Sequence, residues 1–114
     1  MKKNDINIKG DNGPYSTPIV LPKNKVIKDW IDFNGHMNVA FYTLAFDKSL
    51  DVFLEDILGI GETHAFENKQ GPFVLQAHYH YLSEMTLDEK FNVRLLVFDH
   101  DKKRIHLCLD IFSI

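Results

Sequence analysis

An α+β domain, an antiparallel sheet packed on one long helix, is what this sequence predicts. Two observations carry the prediction. Apolar residues recur every three or four positions across residues 39–58, and every second position across residues 73–82, 91–98 and 104–112. A strand, then a helix, then a run of strands separates the two kinds of element along the chain, unlike the regular alternation of a parallel βαβ sheet. With 114 residues, 45% of them hydrophobic and 25% charged, the chain has the length and balance of a single packed domain.

Residues 1–18 are rich in Lys, Asn, Gly and Pro, with Asn12-Gly13-Pro14 and Thr17-Pro18 as punctuation, and read as a flexible lead-in to a domain covering 19–114. From 19 to 31, β-branched content and the alternation of Val26, Lys28 and Trp30 against Ile27, Asp29 and Ile31 predict a strand, broken near Pro22. The period then changes. Val39, Tyr42, Phe46, Ser49, Leu50, Phe53 and Ile57 define the buried stripe of a helix, while Asp47, Asp51 and Glu55 line another side. The helix is expected to start near residues 36–38, with Asn38 as its cap, and to stop near Leu58, before Gly59 and Gly61. Residues 62–69 are ambiguous. The last block is the cleanest strand, with Ile105, Leu107, Leu109 and Ile111 on one face and Arg104, His106, Cys108 and Asp110 on the other. Thr86-Leu87-Asp88 and Asp99-His100-Asp101-Lys102 read as the turns of a meander.

Composition excludes some functions. A net charge of -3 and a pI near 6.0 supply no basic field for nucleic acid. No apolar run approaches the roughly 20 residues of a membrane span, and Met1-Lys2-Lys3-Asn4-Asp5 lacks the apolar stretch of a signal peptide, so a cytoplasmic protein is expected. Cys108 is the single cysteine, which fits a reducing compartment, and its apolar surroundings in sequence place it in the core.

The chemistry-bearing stretch is Asp32-Phe33-Asn34-Gly35-His36-Met37-Asn38. It sets a carboxylate at a strand end, then a glycine turn, then the free amides of a helix N-terminus. Such amides stabilise negative charge developing on a thioester oxygen while the carboxylate attacks or activates water. The bland alternative is that Asp32 is a cap or turn residue.

The pattern Asp32-x-x-Gly35-His36-Met37-Asn38-x-x-x-Tyr42 resembles the signature of hot-dog thioesterases of the 4-hydroxybenzoyl-CoA thioesterase type. The likeness continues through Trp30-Ile31-Asp32, Ala45-Phe46-Asp47, Leu58-Gly59-Ile60-Gly61, His78-x-x-Tyr81-Leu82 and Asp101-x-Lys103-Arg104-x-His106, and the combination is similar to the betainyl-CoA thioesterases of carnitine breakdown. The resemblance implies a hot-dog fold, Asp32 as the catalytic carboxylate, and the amides of Gly35, His36, Met37 and Asn38 polarising the thioester carbonyl. It also implies an acyl-CoA substrate, betainyl-CoA hydrolysed to glycine betaine and CoA, no cofactor, and a homodimer or higher homo-oligomer. Family members continue past Ile114 with one more antiparallel strand, so the implied domain is short of its last strand. A quaternary ammonium would be held by aromatic faces, and Trp30, Phe33, Tyr42, Phe73, Tyr79 and Tyr81 are the candidates; the competing reading of each is core packing.

No metal is expected. His78-x-His80 puts two imidazoles on one strand face, but His36, His64, His100 and His106 offer no spacing that completes a site. For His36 the expected work is to fix the turn through hydrogen bonds rather than to act as the base. Glu84 and Glu67 lie off the predicted helix, and Glu55 lies on its polar stripe; all three are set aside as catalytic carboxylates. Lys103 and Arg104 follow a turn, where they would meet CoA phosphates or solvent. Two readings compete with a thioester hydrolase: a noncatalytic hot-dog subunit that binds acyl-CoA or a partner chain, and a hot-dog dehydratase, which lacks a second acid–base pair here.

Overall fold

A computed structural model describes residues 17–114; the lead-in expected over 1–18 lies, up to residue 16, outside the described residues. Strands β1 (Ile19–Val20) and β2 (Asn24–Lys25) are followed by a 3-10 turn, Lys28–Trp30. Helix α1 (Val39–Val52) runs on into a wider π-type stretch, Phe53–Leu58, and a short α2 (Glu62–Asn68) completes the helical part. Strands β3 (Lys90–His100) and β4 (Ile105–Ser113) form the long hairpin of the sheet.

The sheet is antiparallel, with β3 at its centre. One edge of β3 pairs with β1 through Ile19↔Leu95 and with β2 through Asn24↔Phe91; the other pairs with β4 from Phe91↔Ser113 to His100↔Ile105. Alternation along β3 sends Phe91, Val93 and Leu95 inward, each fully buried, while β4 turns Leu107, Leu109 and Ile111 onto the same core. From the helix come Ala45, Ser49, Phe53 and Ile57, four residues one helical turn apart. Ala45 and Ser49 are the small members of this row. The stripe read from sequence is therefore rotated: Tyr42, Phe46 and Leu50 flank the core half-buried, and Val39 is exposed.

The α+β architecture, the long helix, its stop at left-handed Gly59 (φ 71°) and the last two strands are as expected. Other expectations fail for physical reasons. The strand expected over 19–31 is two pairs of residues and a turn. Pro22 has no amide to give the ladder, and Leu21 satisfies its carbonyl with the Asn92 side chain at 2.8 Å instead. Past Val26 the chain bends away, with Trp30 and Ile31 donating to the carbonyls of Ile27 and Lys28. Residues 62–69, ambiguous in sequence, are mostly helix α2. The strand expected over 73–82 has no sheet partner among the described residues; the stretch is exposed throughout. The final hairpin turn falls two residues later than expected, at 101–104, because β3 continues through Asp99 and His100 with a bulge after Val97. Cys108 is exposed, not core, because it lies on the outward row of β4 with His106 and Asp110.

Candidate active site

The turn at residues 32–38 is closed by its own backbone. Ile31 and Met37 form an antiparallel bridge, Asp32 donates to the His36 carbonyl at 3.0 Å, and Gly35 donates to the Asp32 carbonyl at 3.0 Å. Gly35 has φ +82°, a conformation that glycine adopts without the steric cost a side chain brings. Two further bonds tie the turn down: Met37 donates to the Met85 carbonyl and Asn38 to the Trp30 carbonyl, both at 2.8 Å.

Asp32, half-buried, is gripped at both oxygens. The Asn34 amide donates to Oδ1 at 2.9 Å and the Asn38 side chain donates to Oδ2 at 3.1 Å. Asn38 works twice, because its own Oδ1 accepts from the Ala40 amide at 3.0 Å and caps α1 as its sequence position predicts. The capping residue of the helix thus also orients the carboxylate. Of the amides between residues 35 and 39, those of Gly35, Met37 and Asn38 have carbonyl partners, and those of His36 and Val39 have none among the described residues. An amide left without a partner near a helix N-terminus is a donor that an anion or a polarised carbonyl can use.

One turn along α1 from Asn38, Tyr42 begins an aromatic cluster. Its ring meets Tyr81 edge-on at 5.5 Å, Tyr81 stacks on Tyr79 at 6.1 Å, and Tyr79 packs against Phe46 at 6.1 Å. The Tyr42 hydroxyl accepts the Met85 amide at 3.1 Å, and burial, with smaller contributions from Glu89 and Glu84, pushes its pKa above the usual tyrosine value. Of the six aromatic candidates, Tyr42, Tyr79 and Tyr81 come together. Trp30 stacks on Phe41 at 5.9 Å instead, while Phe33 at the tip of the turn is 97% exposed and Phe73 is 80% exposed.

Sequence reasoning missed two members of this region. Phe46 was assigned to the core stripe and instead flanks the tyrosines. Glu84, set aside for lying off the helix, pairs with the His36 ring at 2.5 Å. No period or motif marks Glu84, since only the tertiary fold brings it to the turn. The His36 carbonyl accepts from the Asp32 amide inside the turn, and the His36 ring lies against the Glu84 carboxylate. Arg104 folds back onto Asp101 with bonds of 2.9 and 2.6 Å, which holds the Asp101 carboxyl down at about 2; Lys103 has its amide on the same carboxylate. Glu67 lies exposed on α2, and the Glu55 carboxylate binds Thr63. The His78 and His80 rings lie 4.6 Å apart on the exposed stretch, and no group of three metal-binding side chains converges among the described residues. No helix among them is long and apolar enough to cross a membrane.

One long helix with an antiparallel sheet, and a carboxylate ahead of the helix N-terminus, are the features this chain brings to a comparison with known proteins. The family described as the thioesterase-like superfamily matches residues 26–114, and the chain belongs to that family. It is 33% identical over 93 residues to a betainyl-CoA thioesterase of Pseudomonas aeruginosa, covering 82% of this chain and 54% of that protein. It is 30% identical over 91 residues to an L-carnitine dehydrogenase/betainyl-CoA thioesterase of Rhizobium meliloti, covering 80% of this chain and 18% of that one. The chain therefore spans about half the length, or less, of these relatives. Among solved structures, a hypothetical protein of Staphylococcus aureus in complex with CoA superposes with a TM-score of 0.79 at 29% identity, over 90% of this chain and 64% of that one. A putative thioesterase of Pseudomonas putida follows with a TM-score of 0.68 at 25% identity, over 86% and 63%. The fold is the hot-dog arrangement of this family.

Proposed function

We propose that this chain carries the catalytic carboxylate of an acyl-CoA thioester hydrolase, with Asp32 as the acting group and the amides of His36 and Val39 as the oxyanion donors. The observation that carries the reading is the Asp32 carboxylate, held at both oxygens by Asn34 and Asn38 beside the two amides at the head of α1 that have no partner among the described residues. Donors fixed before the reaction need no reorganisation as charge develops on the carbonyl oxygen. Gly35, Met37 and Asn38 serve by shaping the turn rather than by donating their amides.

In hydrolysis, a water oxygen bonds to the acyl carbon while Asp32 takes the water's proton. The carbon–sulfur bond breaks, and the departing thiolate receives that proton as CoA-SH. If Asp32 attacks instead, its oxygen bonds to the acyl carbon as the carbon–sulfur bond breaks, giving a mixed anhydride and CoA thiolate; water then cleaves the anhydride to the free acid and Asp32, and a proton from that water passes to the thiolate. Both routes use the same donors and the same carboxylate.

For the acyl group, the cluster of Tyr42, Tyr79, Tyr81 and Phe46 supports a quaternary ammonium, hence betainyl-CoA, as in the named activity of the Pseudomonas aeruginosa relative. Each aromatic face engaged contributes roughly 0.5–2 kcal/mol to a cation. The proposal includes a cytoplasmic homodimer or higher homo-oligomer that needs no cofactor. A noncatalytic subunit that binds acyl-CoA or a partner chain is the second reading, favoured by the exposed apolar residues over 73–82.

Thiol release from betainyl-CoA and from uncharged short acyl-CoAs tests the substrate. A kcat/KM for betainyl-CoA above that for the uncharged panel, lost when Tyr81 is changed to Ala, is the expected result. Equal rates on all thioesters would remove the cation assignment, and no thiol release by the folded chain would favour the noncatalytic subunit.

A further inference from the structure

Residues 84 and 85 hold the turn at two points and the first turns of α1 at a third. The Glu84 carboxylate meets His36 Nε2 at 2.5 Å, the Met85 carbonyl accepts from Met37 at 2.8 Å, and the Met85 amide donates to the Tyr42 hydroxyl at 3.1 Å. The last two use only the backbone of Met85, a residue 5% exposed, and do not depend on which residue stands at 84. The first depends on the Glu84 side chain alone.

His36 is where that side chain acts. Its carbonyl is fixed by the Asp32 amide, and its own amide is one of the two free donors. The peptide between Gly35 and His36 follows a glycine at φ +82°, where the backbone has the freedom to rotate that amide away from the substrate. A ring anchored at Nε2 restrains the His36 residue from its far end, opposite the carbonyl bond.

We propose that Glu84 is a positioning residue which, through the His36 ring, aims the His36 amide at the thioester carbonyl. This rests on the thioesterase reading above. Both side chains are substantially exposed, at 44% and 62%, so the pair contributes little to global stability. Its effect is local: it keeps the donor at the orientation a developing oxyanion requires.

The full chain, its Glu84→Ala, Glu84→Gln and His36→Ala variants, and a Glu84→Ala/His36→Ala double variant test this. In Glu84→Ala, kcat falls about tenfold with KM within twofold and with an unchanged melting temperature, as loss of alignment without loss of binding predicts. Glu84→Gln, whose side-chain oxygen still accepts from Nε2–H, recovers most of the rate. In the double variant, the two losses do not add, because one contact accounts for both. A kcat for Glu84→Ala equal to the parent's, or a loss that the double variant simply sums, would overturn the proposal.

Nuclear magnetic resonance of the same proteins gives an answer that does not need turnover. The His36 ring should show one well-defined hydrogen-bonded Nε2–H, lost in Glu84→Ala together with a shift of the His36 amide resonance. If the parent chain hydrolyses no thioester but these signals change as stated, the thioesterase reading fails while the hold of Glu84 on the His36 amide stands. If the parent is active and neither signal changes, that hold fails and the thioesterase reading stands.

Discussion

The turn at 32–38 and the stretch at 71–84 both pack on α1, and they are held there in opposite ways. Five backbone bonds and both Asn38 side-chain bonds secure the turn. No backbone hydrogen bond joins 71–84 to any other described residue; the stretch is held by the rings of Tyr79 and Tyr81 against Phe46 and Tyr42, and by Glu84. The carboxylate half is thus assembled mostly from neighbours in sequence, whereas among the described residues the aromatic half is joined to α1 by side chains.

The sharpest way to break the difference is Asn38→Ala, which removes the helix cap and the Oδ2 partner of Asp32 together. It should cost about 2 kcal/mol in chemical unfolding and lower thiol release at least about tenfold. Gly35→Ala attacks the same turn through the backbone alone, since an added Cβ meets nothing within 4 Å but must adopt φ +82°. A loss of about 1 kcal/mol in thermal melts is expected. Tyr42→Phe addresses the other half. Without its hydroxyl the Met85 amide loses its acceptor, at about 1 kcal/mol, and hydrogen exchange should quicken at Met85 while the Asp32 amide keeps its protection. In the unaltered chain, amides over 71–84 should exchange far faster than those of Val93 and Leu95. The smallest effect lies away from both regions. Arg104 holds the Asp101 carboxyl at about 2 against the ordinary 3.8, so that pair stabilises the fold above the higher value and loses its contribution as pH falls from 3.8 towards about 2. Asp101→Asn should flatten that part of the acid-unfolding curve.

The same contrast governs what was legible in the sequence. Asn38 as cap, Gly35 as turn residue and Gly59 as terminator are local events, decided by residues a few positions apart, and each was readable. So were β3 and β4, which a tight turn joins and whose alternation has one wet face. The stretch at 19–31 misled because its apolar residues fall on both alternating sets, so no single face constrained it, and the chain turned at Lys28 to bring Trp30 onto Phe41. Period two over 73–82 predicts a strand that is not formed among the described residues, because a strand needs a partner backbone and the pattern carries no information about one. Cys108 showed the limit of reading core from hydrophobicity, since an apolar residue on the outer row of an edge strand stays exposed. Glu84 was beyond reach for a related reason: its partner is 48 residues earlier in the chain.

The central claim is that Asp32, fixed at the head of α1, performs thioester hydrolysis, and one comparison tests it most directly. Thiol release from an acyl-CoA is measured for the parent chain and for Asp32→Asn, which keeps the shape of the side chain and removes its charge, with melting temperatures taken in parallel. The account predicts turnover by the parent and a fall of about a hundredfold or more in the variant at nearly equal stability. Comparable turnover by both proteins would contradict it.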